Sequence, residues 1–262
     1  MRQPPCFIVA FIMLAITLPA RAECSVTSAS KRVSLIELYT SEGCSSCPPA
    51  DAWLSNLKTD GYLSDIVVPL ALHVDYWDYI GWKDRFAQAA FTARQRQAAS
   101  QDLLNVVYTP QVMLNGRDFR RWQSPARLRQ ALQKSAFDAP RATISMTLGR
   151  LPSGETMVKV RAQGLDADSQ QHGDIHIAVF ENGLSSTINA GENSGRLLKH
   201  DHVVRQWLGP YALQDKASAA KAWETIVMLK PEWKGRDAGV AAFVQHRKRG
   251  EVLQVAASKL CD

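Results

Sequence analysis

The chain carries one Cys-x-x-Cys pair and no second one that would complete a four-thiolate zinc site. Long apolar runs are scarce as well. Beyond Phe7 to Leu18 no uninterrupted stretch is long enough to cross a bilayer, and that first run is itself too short for a permanent span. Charge of one sign is in small excess only. The formal net charge is +6, and Arg2 and Arg21 near the N-terminus contribute two units of it, a balance too mild to argue for nucleic acid. Internal repeats and low-complexity tracts are absent. With 46% hydrophobic and 21% charged residues, the 262-residue chain has the composition of a folded protein with a sizeable core, and disorder is not the default.

Arg2, the apolar run and the small-residue spacing Pro19-Ala20-Arg21-Ala22 together read as a secretory signal over residues 1–22. A lipid-anchored Cys24 is disfavoured because Glu23 stands where a small residue is needed. The mature chain is therefore expected to be periplasmic or secreted, without stable membrane insertion, in an oxidising compartment. Loss of the signal removes Cys6 and leaves four cysteines, Cys24, Cys44, Cys47 and Cys261. An even count in that compartment predicts two bridges, one local and one structural disulfide, Cys24–Cys261, between the two ends of the mature chain.

The local pair sits in Glu42-Gly43-Cys44-Ser45-Ser46-Cys47-Pro48-Pro49, between the apolar run Val33 to Tyr39 and the helix-like run Pro48 to Lys58. Sulfurs at a helix N-terminus meet unpaired amides and the positive end of the helix dipole, which favours thiolate over thiol. Cys44 is then the nucleophile and is expected to be exposed, with Cys47, about one turn on, more covered. Pro48 suits the first helical turn, where its missing N–H has no partner to lose.

Further along, Ile66 to Val74 reads as a strand that Pro69 should confine to a sheet edge. An aromatic-rich loop, Asp75 to Trp82, follows, then a helical stretch from Asp84 to Ser100. Thr109-Pro110 opens a strand, Asn115-Gly116 signals a hairpin, and Ser124-Pro125 starts a helix to about Lys134. The order is β-α-β-α-β-β-α. Asp138-Ala139-Pro140 reads as a boundary, beyond which about seven short strand-like runs suggest a β-sandwich of the immunoglobulin-like kind over 141–262. The helix-prone stretch Gln214 to Ala222 does not fit that pattern.

Three runs carry a resemblance: Glu37 to Asp51, His73 to Asp78 with Gly81-Trp82, and Tyr108-Thr109-Pro110. Gly191 to Arg196, His200-Asp201 and Val203 to Arg205 extend it. The first half resembles a thioredoxin fold, and the runs together resemble a family of uncharacterised secreted bacterial proteins classed as thioredoxin-like. The resemblance implies an α/β thioredoxin-like domain over 23–138 followed by the all-β domain, and assigns no substrate. It implies that Pro110 is cis and packs beside the cysteines, and that the Thr109 backbone pairs with an extended substrate. It also offers Glu37 as the buried acid that handles the proton of the inner cysteine, although the spacing to Cys44 is one residue longer than in thioredoxins. Ser45-Ser46 replaces the Gly-Pro of thioredoxin itself, so the direction of electron flow is left open.

Each of these residues also has a plainer reading. Glu37 is more simply a buried acid paired with a cation. Trp77 and Trp82 either floor a substrate groove or pack against a helix. His73 is a strand histidine unless it lies near Cys44, and His200 and His202, expected on one face of a strand, are hydrogen-bonding residues before they are metal ligands. Arg117, Arg120, Arg121, Arg127 and Arg129 form a basic patch best read as a solvated face. The sequence thus points to an exported thiol-disulfide oxidoreductase in which Cys44 attacks and Cys47 resolves, needing no cofactor or metal. Its partners would be a protein or small thiol or disulfide substrate and a redox partner protein. The alternatives are a Cu(I) carrier using both thiolates with His73, and an adaptor whose disulfide is structural.

Overall fold

The structure, a computed structural model, describes residues 23–151, 155–214, 221–227 and 237–260. The signal segment, most of the helix-prone stretch Gln214 to Ala222 and Cys261 fall outside the described residues, and with Cys261 so does the expected Cys24–Cys261 bridge. Among the described residues no helix is long and apolar enough to cross a membrane.

The first half opens with a strand the sequence did not announce, β1 (Glu23–Thr27), and then follows the expected order: β2 (Ser34–Thr40), α1 (Pro48–Asn56), β3 (Val67–His73), α2 (Ala89–Gln101), β4 (Gln111–Leu114), β5 (Arg117–Asp118) and α3 (Pro125–Phe137). Local chemistry accounts for the ends. Ser124 caps α3 by accepting from the Arg127 amide, with Pro125 in the first turn. Asn115 and Gly116 both take positive φ, 52° and 81°, as a two-residue hairpin between β4 and β5 requires. The second half holds β6 (Ala142–Arg150), β7 (Thr156–Gly164), α4 (Ala167–His172), β8 (Gly173–Glu181), β9 (Leu184–Thr187), β10 (Leu197–His200), β11 (Val203–Ala212), β12 (Lys221–Val227), β13 (Ala238–His246) and β14 (Val252–Lys259). The one strand expected to carry both His200 and His202 is two: the chain turns through Asp201 and His202, the latter at φ 58°, between β10 and β11.

The halves are not separate in the way the boundary at Asp138 to Pro140 suggested. An eight-stranded sheet in the order β14-β13-β8-β11-β3-β2-β4-β5 crosses it, and β1 pairs with β6 in a four-stranded sheet, β1-β6-β7-β12. The seam is narrow: β11 lies parallel to β3 at Val203 and Ala71, where the Ala71 N–H donates to the His202 carbonyl at 2.8 Å. This corrects the edge position expected of β3. Pro69 is tolerated because it lies two residues before Ala71, on the side where β11 has not yet begun.

Strand parity divides the core. Leu35, Tyr39, Leu70, Leu72, Ala178, Phe180, Ala241 and Phe243 share one continuous face of the long sheet with Phe91 and Ala98 of α2. On the other face, Ile36, Leu38 and Ala71 meet Ala50 and Leu54 of α1 and Leu128 and Leu132 of α3. Further along that sheet, Ile175, Ile177, Val240 and Val244 pack with Ile144, Met146, Val158 and Val160 of the four-stranded sheet. β8 and β13 are buried at every residue, as strands covered on both faces must be.

Candidate functional site

Beneath the first turn of α1 the apolar face ends in polar side chains. Ile36 and Leu38 give way to Thr40 along β2, and Ala71 gives way to His73 along β3, at the carboxyl ends of two parallel strands. The next residues form the turn into α1. The Cys44 amide donates to the Ser41 carbonyl, the Cys47 amide to the Cys44 carbonyl, and the Ala50 and Asp51 amides to the Cys47 carbonyl. Cys44 and Cys47 are joined as a disulfide with Cα atoms 5.4 Å apart, and the Ser46 hydroxyl lies 3.3 Å from the Cys44 sulfur.

The expected exposure of Cys44 is not what the structure has: both cysteines are completely buried, while Ser45 and Ser46 between them are exposed. The cover comes from the segment between β9 and β10. Asn193, fully buried, donates through Nδ2 to the carbonyls of Glu42 (2.8 Å) and Cys44 (3.0 Å), and the Ser45 amide donates to Glu192 Oε2 (3.1 Å). Arg196 fixes the Asn193 side chain by donating to its Oδ1. Gly191 is required here, because its φ is 74° and an added Cβ would lie 3.2 Å from the Trp82 Cβ.

The aromatic loop forms another wall. A Cβ on Gly43 would meet the Trp77 Cβ at 3.1 Å, and the Trp77 indole donates to the Thr109 hydroxyl at 2.7 Å. Thr109-Pro110 is cis, and the pairing of Tyr39 with Gln111 sets it beside the carboxyl end of β2. Trp82 donates to Glu42 Oε2 at 2.8 Å. Trp77, Trp82 and Thr109 are thus gathered around the motif.

Glu37 is not. It shares the odd-numbered face of β2 with Leu35 and Tyr39, opposite α1, and its Oε1 accepts from Arg94 Nε at 2.5 Å. The Arg94 guanidinium also lies over Trp207 and Phe243 and donates to Gln245. The paired-acid reading is correct for Glu37, and the proton-handling role expected from the resemblance is corrected by strand parity.

Four other titratable side chains, His73, Asp84, Glu42 and His200, occupy the motif's side of the sheet with Asp51 of α1, all nearly or fully buried. His73 Nδ1 is 2.7 Å from Asp84 Oδ2, which also accepts from the Glu42 amide. Burial alone would lower the imidazole's pKa, but the Asp84 carboxylate overrides it and raises it. Burial raises the Asp51 carboxyl above its ordinary range, outweighing the pull of His200 and His73. His200 stands between two acids, with Nε2 3.3 Å from Glu42 Oε1 and Nδ1 3.9 Å from Asp51 Oδ2, and neither contact has hydrogen-bond geometry. It does not share a strand face with His202, which begins the β11 side of the turn. Neither Asp51 nor Asp84 was singled out in the sequence. The signal for Asp51 was its position four residues after Cys47.

A different cluster, Asp168, His172 and His246, brings its possible ligand atoms within 4.8 Å of one another. Arg141 and Arg249 already pair with that carboxylate. His246 Nδ1 accepts from the amides of Lys248 and Arg249, which leaves the ring proton on Nε2, facing Asp168. Two guanidiniums and that N–H occupy the carboxylate where a metal ion would otherwise sit. In the arginine patch, Arg117 and Arg120 are paired with Asp102 and Asp118 beside an open groove of about 620 Å³.

Fold and site define a mixed α/β protein with a covered Cys-x-x-Cys disulfide at a helix N-terminus, set over a buried group of acids and histidines. The chain belongs to the family described as "Protein of unknown function (DUF1223)", whose model matches residues 35–245. A crystal structure of an Agrobacterium tumefaciens protein, a structural genomics target, is similar at 25% identity and a TM-score of 0.60, covering 88% of this chain and 96% of that one. HBP35 of Porphyromonas gingivalis is similar in fold alone, at 17% identity and a TM-score of 0.68, covering 89% of this chain and 76% of its own. Comparison with curated proteins gives no match.

Proposed function

We propose that the protein is an exported thiol-disulfide oxidoreductase of thioredoxin type. The observation that carries this reading is the Cys44–Cys47 bridge at the N-terminus of α1, at the carboxyl end of β2, with Trp77 and Thr109 beside it. A thiolate formed there is stabilised by the positive end of the α1 dipole, since Pro48 and Pro49 at the start of the helix have no N–H to offer it. Cys44 attacks a sulfur of a partner disulfide, a mixed disulfide forms, and Cys47 displaces the partner. No cofactor beyond the two cysteines takes part, and a second redox protein restores the starting state. Thr109 and the two tryptophans present the edge along which an extended partner lies. Because both sulfurs are buried, exchange requires that Glu192 and Asn193 let go of the motif.

That same burial favours a second reading, an adaptor whose disulfide is structural. One experiment separates the two. A Cys47→Ala variant produced in an exporting host should accumulate mixed disulfides that a reductant dissolves and that Cys44→Ser abolishes. A variant that stays free of adducts, together with a native disulfide inert to small dithiols, would leave the adaptor reading standing.

A further inference from the structure

We infer that Asp51 is the proton acceptor for Cys47, held in that role by His200 from the second half of the chain. The inference rests on the exchange reading above.

Asp51 lies four residues after Cys47, and its amide donates to the Cys47 carbonyl at 3.1 Å, so the two side chains stand on one helix face in successive turns. Helical side chains lean toward the N-terminus, which brings the carboxyl back toward the sulfur. Cys47 is fully buried and Asp51 6% exposed, so water does not easily serve as the base there. The charged and titratable groups around Asp51 come from every neighbouring element: His200 from β10, His73 from β3, and Asp84 and Glu42 from the loops after β3 and β2. Both ring nitrogens of His200 lack a hydrogen-bond partner although the side chain is 2% exposed. A buried imidazole with no other hydrogen-bond partner is free to turn toward the Asp51 carboxyl, 3.9 Å from its Nδ1.

The step balances as follows. Once Cys44 is joined to one sulfur of a partner disulfide, the Cys47 thiol gives its proton to the Asp51 carboxylate. The Cys47 sulfur then bonds to the Cys44 sulfur, the bond between Cys44 and the partner breaks, and its electron pair leaves on the partner's sulfur, which takes a proton from water. Two electrons pass from the cysteine pair to the partner disulfide. A carboxyl whose pKa burial has raised is a stronger base toward a thiol than an ordinary one. In the reverse direction the same carboxyl returns the proton to Cys47.

The test uses the reduced full chain and oxidised glutathione, quenched by acid, with adduct formation and ring closure followed separately. Asp51→Asn should leave adduct formation on Cys44 near the wild-type rate and slow ring closure roughly 100-fold at neutral pH, the loss narrowing as alkali ionises the thiol unaided. Asp51→Glu should recover part of the rate, and His200→Gln should shift the pH profile of closure in the same direction. If Asp51→Asn does not fold, the His200→Gln profile decides. Closure with an unchanged pH profile in these variants overturns the role of Asp51 and leaves exchange intact. A wild-type protein that forms no glutathione adduct at all overturns the exchange reading and this inference with it.

Discussion

Glu37 shows how much one step along a strand decides. As an odd-numbered residue of β2 it faces α2 and Arg94, and a shift by one would have turned it toward α1. The sequence carried its burial in an apolar run but not its face, because which face α1 covers depends on packing that periodicity in one strand does not contain. Replacing Glu37 by Gln leaves a guanidinium buried without its counter-charge, which costs about 3–5 kcal/mol. Denaturant unfolding of Glu37→Gln should register that loss, while the exchange rate of the folded variant stays at the wild-type level. A selective loss of exchange with stability unchanged would return Glu37 to the site. Asp51 was illegible for another reason: its spacing from Cys47 is plain, but an acid on a helix reads as solvent-facing until His200 and His73 are seen to close over it.

At the scale of elements, the segment between β9 and β10 controls the motif with few contacts. Asn193 supplies two hydrogen bonds to carbonyls of the Cys44 turn. Each is worth about 1 kcal/mol net, so Asn193→Ala should speed reduction of the native disulfide by a small dithiol about 10- to 30-fold, measured by the appearance of free thiols. An unaltered rate would mean that the segment does not limit access. The elements of the first half were legible because their signals are local: Ser124-Pro125 for α3, Asn115-Gly116 for the hairpin, Pro48 for the start of α1. The cover over Cys44 was not, since nothing in Gly191 to Arg196 states which turn, 149 residues earlier, Asn193 will grip.

For the whole molecule, the eight-stranded sheet ties together what a boundary at Asp138 to Pro140 would divide. Arg94 on α2 reaches Gln245, Trp207 and Phe243, and the β2 and β3 core continues into Ala178 and Ala241. A fragment of residues 23–138 would expose the β3 edge at Ala71, strip β1 of its partner β6 and uncover that core. It should aggregate or give a poorly dispersed NMR spectrum, whereas a well-dispersed spectrum would restore the two-module view. The turn of composition after Pro140 is real, from mixed helix and strand to mostly strand, but pairing between distant strands leaves no mark in either one alone. The placement of Asn193 also sets an order of events. Cys44 and Cys47 leave the ribosome well before the side chain that will hide them, and for that interval they lie open to whatever oxidant is at hand. Afterwards the folded chain hides both sulfurs, and the Asn193 segment governs when they are seen.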